Sequence, residues 1–329
     1  METFIPTPSP LPLPAPGALF WTLLVVTFWF HYVSVQLLLG SLIITIGEIF
    51  GGKPRDQFME GLKRLPVIMA FVINLGIPPL LFLQLLYAQF FYTSSVIMGI
   101  PWITTVLLLI ICYGCLYLAR YEKHQGRIPV WLCLSLIAGL TIAYFFTNNV
   151  TLMLHPEVWQ ATYRADPLGA HLYPDTGSVL YRWLWVIAPS VTVVTAWLRK
   201  SRGWGWVTVV LGGLGAYLFQ SNLGSHATGA ETLFIIDYAL IAVLVVILLA
   251  VRPPELFYRL LGVWSLVKLA VMVILRDTVR RNALAPYFSY EDLPVQTEWS
   301  VVICFFLVFA TGLYVLIWMY RRGKEGLVL

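Results

Sequence analysis

Charged residues are scarce in this chain. Only 11% of its 329 residues are Asp, Glu, Lys or Arg and 59% are hydrophobic, whereas a soluble domain carries about 25% charged residues. The segment 17–47 contains none of the four charged residue types over 31 positions, which exceeds the about 20 apolar residues that a helix needs to cross a bilayer. The scarcity argues against a soluble protein and predicts an all-α, polytopic membrane helix bundle in contact with lipid.

Cysteine is nearly absent as well. The four cysteines, Cys112, Cys115, Cys133 and Cys304, all lie in apolar segments, which argues against a secreted disulfide framework. Cys112 and Cys115 have CxxC spacing, but Leu116 follows them where attachment of a c-type haem requires histidine. We interpret these cysteines as buried small apolar residues.

The basic residues predict the orientation of the bundle. They lie in short clusters between apolar spans, so the net charge of +5 does not indicate a nucleic-acid partner. If the N-terminus is outside, the cytoplasmic loops and tail carry 15 of the 21 basic residues, and the positive-inside rule then predicts a cytoplasmic C-terminus. The nine predicted transmembrane helices are 18–47, 66–92, 101–120, 129–153, 179–198, 204–221, 232–251, 256–276 and 299–320.

The chain divides into three predicted parts. Residues 1–17 form an extracytoplasmic arm with proline at every second position from Pro6 to Pro16, a pattern that excludes a helix. Residues 18–322 form the nine-span transmembrane domain, and residues 323–329 form a cytoplasmic tail. We expect the arm to share the extracytoplasmic face with the loops 154–178, 221–231 and 277–298.

One histidine lies deep in a predicted span. His31 is near the middle of the first span, where an ionisable side chain is costly and marks a candidate functional site. Three roles are open: axial ligand of a haem iron, hydrogen-bond partner of a quinone, or donor in helix packing. A six-coordinate haem needs a second ligand. No other histidine lies deep in a predicted span, so the remaining candidates are the methionines Met69, Met153 and Met272, which are weaker candidates than a histidine.

Three further charged residues lie in the outer halves of predicted spans: Arg182, Asp237 and Lys268. With a rise of about 1.5 Å per residue, Asp237 and Lys268 come out at similar depth. This predicts an ion pair between spans seven and eight. The pair has two open readings, a purely structural one and a quinone or proton site that also includes Arg182.

Span two combines prolines with polar residues. Pro78 and Pro79 predict a kink, which frees backbone carbonyl groups. A neighbouring helix or a cofactor must then accommodate these groups. We expect the polar side chains of Asn74 and Gln84 in the same span to face the bundle interior.

Several segments resemble helices of a single family. FHYVSVQLLLG in span one resembles a haem-bearing first helix, with His31 at the place of its axial histidine, and NLGIPPLLFLQ resembles a kinked second helix, with Gln84 at its glutamine. RDTVRRN resembles a carboxylate–x–x–Arg segment and places Asp277 and Arg280 at a haem-facing end. The family is subunit I of the cytochrome bd-type quinol oxidases, which also has nine spans and an outside N-terminus. The resemblance covers almost the entire chain and implies a respiratory protein of a bacterial or archaeal inner membrane.

The chain also departs from that family. The histidine that ligates a second haem falls near Trp185, and the span-seven methionine falls near Ile235 or Ile236. The acidic residues of span three are absent, and the large quinol-binding loop shrinks to 221–231. These departures argue against an oxygen-reducing site with three haems, so the resemblance implies one b-type haem or none.

The resemblance therefore implies an integral membrane subunit of a respiratory redox complex, which helps to transfer electrons between membrane quinone and an extracytoplasmic partner. The partners it implies are a second integral membrane subunit and a c-type cytochrome or iron–sulfur subunit docked on the loops 154–178 and 277–298. The main alternative is a cofactor-free membrane anchor or assembly subunit. A small-solute transporter is a third reading, although the polar residues cluster only in the outer half. The candidate cofactor-binding residues are His31, Gln84, Met272, Asp277 and Arg280.

Overall fold

The computed structural model describes residues 5–8, 11–166 and 169–324. These residues are predominantly helical and contain one isolated bridge, between Leu13 and Val295. Most of the predicted tail 323–329 lies outside the described residues. The helices are α1 (Gly17–Phe50), α2 (Arg55–Met98), α3 (Ile100–Tyr121), α4 (Ile128–Met153), α5 (Trp159–Ala165), α6 (Thr176–Ile187), α7 (Ser190–Leu198), α8 (Trp204–Val207), α9 (Gly213–Asn222), α10 (Glu231–Ala250), α11 (Pro254–Leu284) and α12 (Trp299–Lys324).

The described part of the chain contains eight helical segments that are long and apolar enough to cross a membrane. This confirms a polytopic helical membrane bundle. The predicted span 204–221 coincides with α8, a π-helical turn (Thr208–Gly212) and α9, and it is not one of the eight. A count of nine transmembrane helices therefore stays a prediction.

The first helix, α1, packs against α2, α4, α7 and α11. At Gly40 it comes very close to α7, since a Cβ atom there would lie 2.1 Å from the carbonyl oxygen of Ser190. Small residues allow membrane helices to approach this closely without a hydrophobic driving force between them. Gly40 thus fixes the contact between the first and fifth spans.

The fifth span is broken between α6 and α7 at Pro189, which has no backbone N–H to donate. The carbonyl oxygen of Val186, next to the break, accepts hydrogen bonds from Tyr32 Oη at 2.6 Å and Gln36 Nε2 at 2.9 Å. Side chains of α1 thereby pair a backbone group that lipid could not satisfy. These two hydrogen bonds thus connect α6 to α1 beside the break.

The second span differs from its predicted shape. Pro78 and Pro79 both lie within α2, but the recorded non-helical dihedral angles are at Tyr87, with φ −136° and ψ 33°. Asn74 is exposed, and its Nδ2 donates to the carbonyl oxygen of Ala70 at 2.8 Å. The prediction that Asn74 faces the bundle interior is therefore wrong. Its own helix supplies the hydrogen bond that an interior partner would have supplied.

The eighth span is longer than predicted. α11 continues to Leu284, so Asp277 and Arg280 lie in the helix, and the loop predicted from 277 begins at 285. The polar side chains of this last part are buried in the bundle, which hydropathy alone could not indicate. Lys268 accordingly lies near the middle of α11.

The predicted extracytoplasmic segments meet at one end of the bundle. Hydrogen bonds join the N-terminal arm, the loop after α11, the loop before α10 and the loop after α4. The oppositely placed loops meet at the other end, where Lys200 Nζ lies 2.8 Å from Glu48 Oε1. Which end faces outward stays the prediction from charge. The joining contacts are Leu13 N to Pro294 O at 2.7 Å, Asn282 Nδ2 to Thr228 O at 2.7 Å, and Tyr287 Oη to Glu157 Oε2 at 3.5 Å.

Candidate functional site

A cavity of about 380 Å³ lies among α1, α2, α3, α4, α6 and α11. Its volume is at the lower end of the about 300–1,000 Å³ that ligand and cofactor sites occupy. Most of the wall is apolar, with a few polar groups, which is the usual composition of such a site. The polar, aromatic or sulfur-bearing residues of the wall include His31, Tyr32, Thr147, Arg182, Trp185, Met272 and Arg276.

The imidazole of His31 is held in a defined orientation. Its Nδ1 lies 3.1 Å from the carbonyl oxygen of Val72 on α2. Because a carbonyl oxygen can only accept, we assign the proton to Nδ1, which leaves Nε2 with a free lone pair. No described residue bonds to Nε2, and Gly76 makes room for the ring, since a Cβ atom there would lie 3.0 Å from His31 Cε1. This is the tautomer and the backbone anchor that metal-ligating histidines have.

Met272 is the methionine of α11 that shares this cavity with His31. Tyr32 Oη lies 3.7 Å from its Sδ atom, so the thioether is held beside α1. Gln84 is half-buried on α2 and is not among the described residues that line the cavity. The structure thus brings together His31, Met272 and Arg182 and leaves Gln84 apart.

Two arginines form the polar part of the wall. Arg182 is 4% exposed, and its Nη1 donates to Thr151 Oγ1 at 3.2 Å, while its Nη2 has no partner among the described residues. The Cζ atom of Arg276 lies 4.0 Å from the ring centroid of Phe28. The described residues offer Arg276 no carboxylate or carbonyl within hydrogen-bond distance.

The third arginine of this region is paired. Arg280 Nη1 donates to Asp277 Oδ1 at 2.9 Å, and both side chains are buried. Asp277 Oδ2 accepts from Trp21 Nε1 at 2.5 Å and lies 3.5 Å from Arg281 Nε. Asp277 and Arg280 therefore pair with each other, and they lie beside the cavity and are not among the described residues that line it.

The predicted pair of Asp237 and Lys268 is confirmed. Lys268 Nζ lies 2.5 Å from Asp237 Oδ1, and Trp185 Nε1 donates to Asp237 Oδ2 at 3.1 Å. All three side chains are at most 1% exposed. The ring of Trp185 lines the cavity, whereas the pair is not part of the described wall. Arg182 is directed to Thr151, so the three residues predicted for a quinone or proton site do not form one cluster.

A polar pocket of about 260 Å³ lies between Arg182 and the segment that follows α4, and Arg182 lines both spaces. Asp175, in the wall of this pocket, caps α6 by accepting from the backbone N–H of Gly177 at 3.0 Å. The hydroxyl of Ser178 donates to the same carboxylate and holds the pKa of Asp175 below its ordinary value. Arg182 thus separates an apolar intramembrane cavity from a polar pocket at the end of the bundle.

Sequence reasoning missed Arg276 as a site residue, because the span was expected to end there. Lys268, Met272, Arg276 and Arg280 recur at intervals of four along α11, which places them along one side of a helix. This stripe was the available signal, and it becomes visible once the helix is extended to Leu284. In the described residues, no three His, Cys, Asp or Glu side chains gather to hold a metal ion.

No protein-family model matches this chain, and no curated protein matches it. A solved structure, that of the bd oxidase from Geobacillus thermodenitrificans, is similar with a TM-score of 0.62 at 13% sequence identity. The match covers 95% of this chain and 100% of the chain in that structure. At this identity the likeness establishes architecture, and the chain has a bd-oxidase-like membrane fold.

Proposed function

We propose that this chain is a membrane subunit of a respiratory redox complex that holds one b-type haem through His31. In this proposal it helps to transfer electrons between membrane quinone and an extracytoplasmic redox partner. The observation that carries the proposal is the environment of His31. Its Nδ1 is bonded to Val72, and its Nε2 is left without a protein partner in the wall of a cavity.

The residues of the cavity fit this cofactor. His31 Nε2 would bind the iron, and Met69 and Met272, in the same wall, are the candidates for a second ligand. The apolar remainder of the wall suits the porphyrin, and Arg182 and Arg276 suit its carboxylates. A bound b-type haem supplies reversible one-electron transfer. Of the three residues predicted for a quinone or proton site, Arg182 is the one that faces the cavity.

The proposed partners follow from the surface of the bundle. The loop after α4 and the loop after α11 lie at the same end and are joined by Tyr287 and Glu157. This end is where we propose that a c-type cytochrome or an iron–sulfur subunit docks. The described side chains of α12 are largely exposed, which supports contact with lipid or with a second integral membrane subunit.

A reduced-minus-oxidised visible spectrum of the purified complex tests the haem. We expect a b-type α-band in the wild type and none in His31→Ala, while the variant still purifies as a folded membrane protein. The matched control is His124→Ala, which changes an exposed histidine in the connection between α3 and α4. This variant should keep the full spectrum. A wild type without b-type absorbance, or a His31→Ala variant that retains it, would contradict the proposal.

A second candidate function is a cofactor-free membrane anchor or assembly subunit. It is favoured by Trp185, which stands near the place of a haem-ligating histidine of the resembling family and is itself bonded to Asp237. Lys268 neutralises Asp237 in turn. These side chains fill, with satisfied polar groups, a region where that family binds haem. The same spectrum distinguishes the two candidates, since an anchor shows no haem absorbance.

A further inference from the structure

The region around the cavity has an excess of positive charge. Arg182 and Arg276 line the same cavity, and Arg280 follows Arg276 by about one helical turn on α11. Arginine does not lose its proton in proteins, and an uncompensated charge in a low-dielectric interior is costly. Among the described residues, the buried carboxylate that faces this group is Asp277, which is bonded to Arg280.

The other charged groups nearby do not remove the excess. Asp237 is occupied by Lys268 and Trp185. Arg281, which also lies near Asp277, is half-exposed and adds further positive charge. In the part of the chain that the structure describes, the buried guanidinium groups of Arg182 and Arg280 and the half-buried one of Arg276 share one buried carboxylate. This leaves the two arginines that line the cavity without a carboxylate partner.

Unpaired donors accompany the unpaired charge. Nη2 of Arg182 and Nε of Arg280 are buried and have no hydrogen-bond partner. Arg276 faces the aromatic ring of Phe28. Since Arg182 and Arg276 both line the cavity, a ligand in the cavity can reach both.

We propose that the resident ligand of the cavity is an amphiphile with two negative charges, held by Arg182 and Arg276. The apolar body of this ligand lies against the apolar wall, toward His31. This inference rests on the cavity of the proposed function and names the charge of its ligand. A neutral quinone does not satisfy the two arginines. A porphyrin with two free carboxylates does, and so does a lipid headgroup with two phosphodiester groups.

The test compares two ligands that differ in the charge of their two carboxyl groups and share the same porphyrin. The purified full chain is titrated with haem b and with haem b dimethyl ester, in which both carboxylates are esterified, and binding is followed by absorbance. Because a hydrogen bond to a charged group is about twice as strong as a neutral one and two carboxylates are lost, we expect the ester to bind about tenfold or more weakly. In Arg182→Gln with Arg276→Gln the two ligands should bind equally well. Arg281→Gln, on the same helix but half-exposed, should retain the preference.

Thermal stability gives a second readout that does not depend on haem. Without ligand, Arg276→Gln should raise the melting temperature, because it removes a half-buried charge that has no carboxylate partner. A merely structural arginine would give the opposite sign. Equal binding of haem b and its ester to the wild type, or a lower melting temperature for ligand-free Arg276→Gln, would overturn the inference.

The lipid source is tested separately from the haem. Native mass spectrometry of the chain, purified and then incubated with vesicles of cardiolipin, which carries two phosphodiester charges, or of phosphatidylcholine, shows which lipid is retained. Selective retention of cardiolipin that is lost in the double arginine variant, without any haem binding, would support the anionic site and contradict the haem proposal. Failure to prefer either anionic ligand over its neutral counterpart would overturn the anionic site itself.

Discussion

Lys268 Nζ lies 2.5 Å from Asp237 Oδ1, although the two residues are 31 positions apart and belong to different transmembrane helices. Neither side chain is accessible to solvent or lipid beyond 1%. The pair is tolerated because each charge neutralises the other and because Trp185 donates to the remaining carboxylate oxygen. The pair lies behind the wall of the cavity and joins α10 to α11.

Asp237→Asn should therefore destabilise the bundle. Removal of one partner leaves a buried unpaired ammonium group, a change that typically costs about 3–5 kcal/mol. The yield of folded protein and its resistance to thermal unfolding in detergent should both fall, and Asp237→Asn with Lys268→Met should recover part of the loss. Glu255→Gln, which removes the exposed partner of Arg199, should change stability by about 1 kcal/mol or less. If the double variant is as unstable as Asp237→Asn, the loss of stability in the single variant does not come from the unpaired charge of Lys268.

Gly76→Ala should displace His31. The new Cβ atom would lie 3.0 Å from His31 Cε1 and 3.1 Å from Nδ1, so the ring must move and its hydrogen bond to Val72 must lengthen. We expect a shifted or weakened b-type band in the visible spectrum while the bundle stays folded. Gly61→Ala on the same helix, where no atom lies within 4 Å of a new Cβ, is the control and should leave the band unchanged. An unaltered spectrum in Gly76→Ala would contradict the binding of haem by His31.

Gly40→Ala should disrupt the contact between α1 and α7. Its Cβ atom would lie 2.1 Å from the carbonyl oxygen of Ser190, and a backbone atom cannot yield as a side chain can. We expect a large loss of folded protein, measured by size-exclusion chromatography after solubilisation. Gly114→Ala on α3, where a new Cβ atom meets nothing within 4 Å, should be as abundant as the wild type. Normal yield of Gly40→Ala would mean that the two helices are less close than described.

Cysteine labelling tests the predicted orientation. In a Cys304→Ser background, a cysteine at the exposed position Ala165 should react with a membrane-impermeant maleimide from the extracytoplasmic side. A cysteine at the exposed position Arg252 should react only after the membrane is opened, because it belongs to the basic end of the bundle. Labelling of both positions from the same side would contradict the topology, and labelling of Arg252→Cys alone would invert it.

Much of the fold could be predicted because the bilayer limits the choices. Backbone groups cannot remain unpaired in lipid, so a long apolar segment must be a helix, and the eight helices that meet the requirements of length and hydropathy lie at predicted spans. Depth along a helix follows from residue number, which is why the pair of Asp237 and Lys268 could be predicted. The C-terminal end of α11 could not be predicted, because the last turns of this helix are polar and are helical through burial in the bundle.

The sequence by itself determined that this chain is a polytopic helical membrane protein and that His31 is its one deeply placed histidine, since apolar length and residue number suffice for both. Only the tertiary structure decided that His31 and Met272 face one cavity, that Gln84 does not line it, and that Arg182 and Arg276 complete its wall. Which side of a helix meets the interior depends on how neighbouring helices pack, and small contacts such as that of Gly40 with Ser190 set this packing. The unpaired charge of the arginines is likewise a property of the assembled bundle, because only proximity decides whether a carboxylate is near enough to neutralise it.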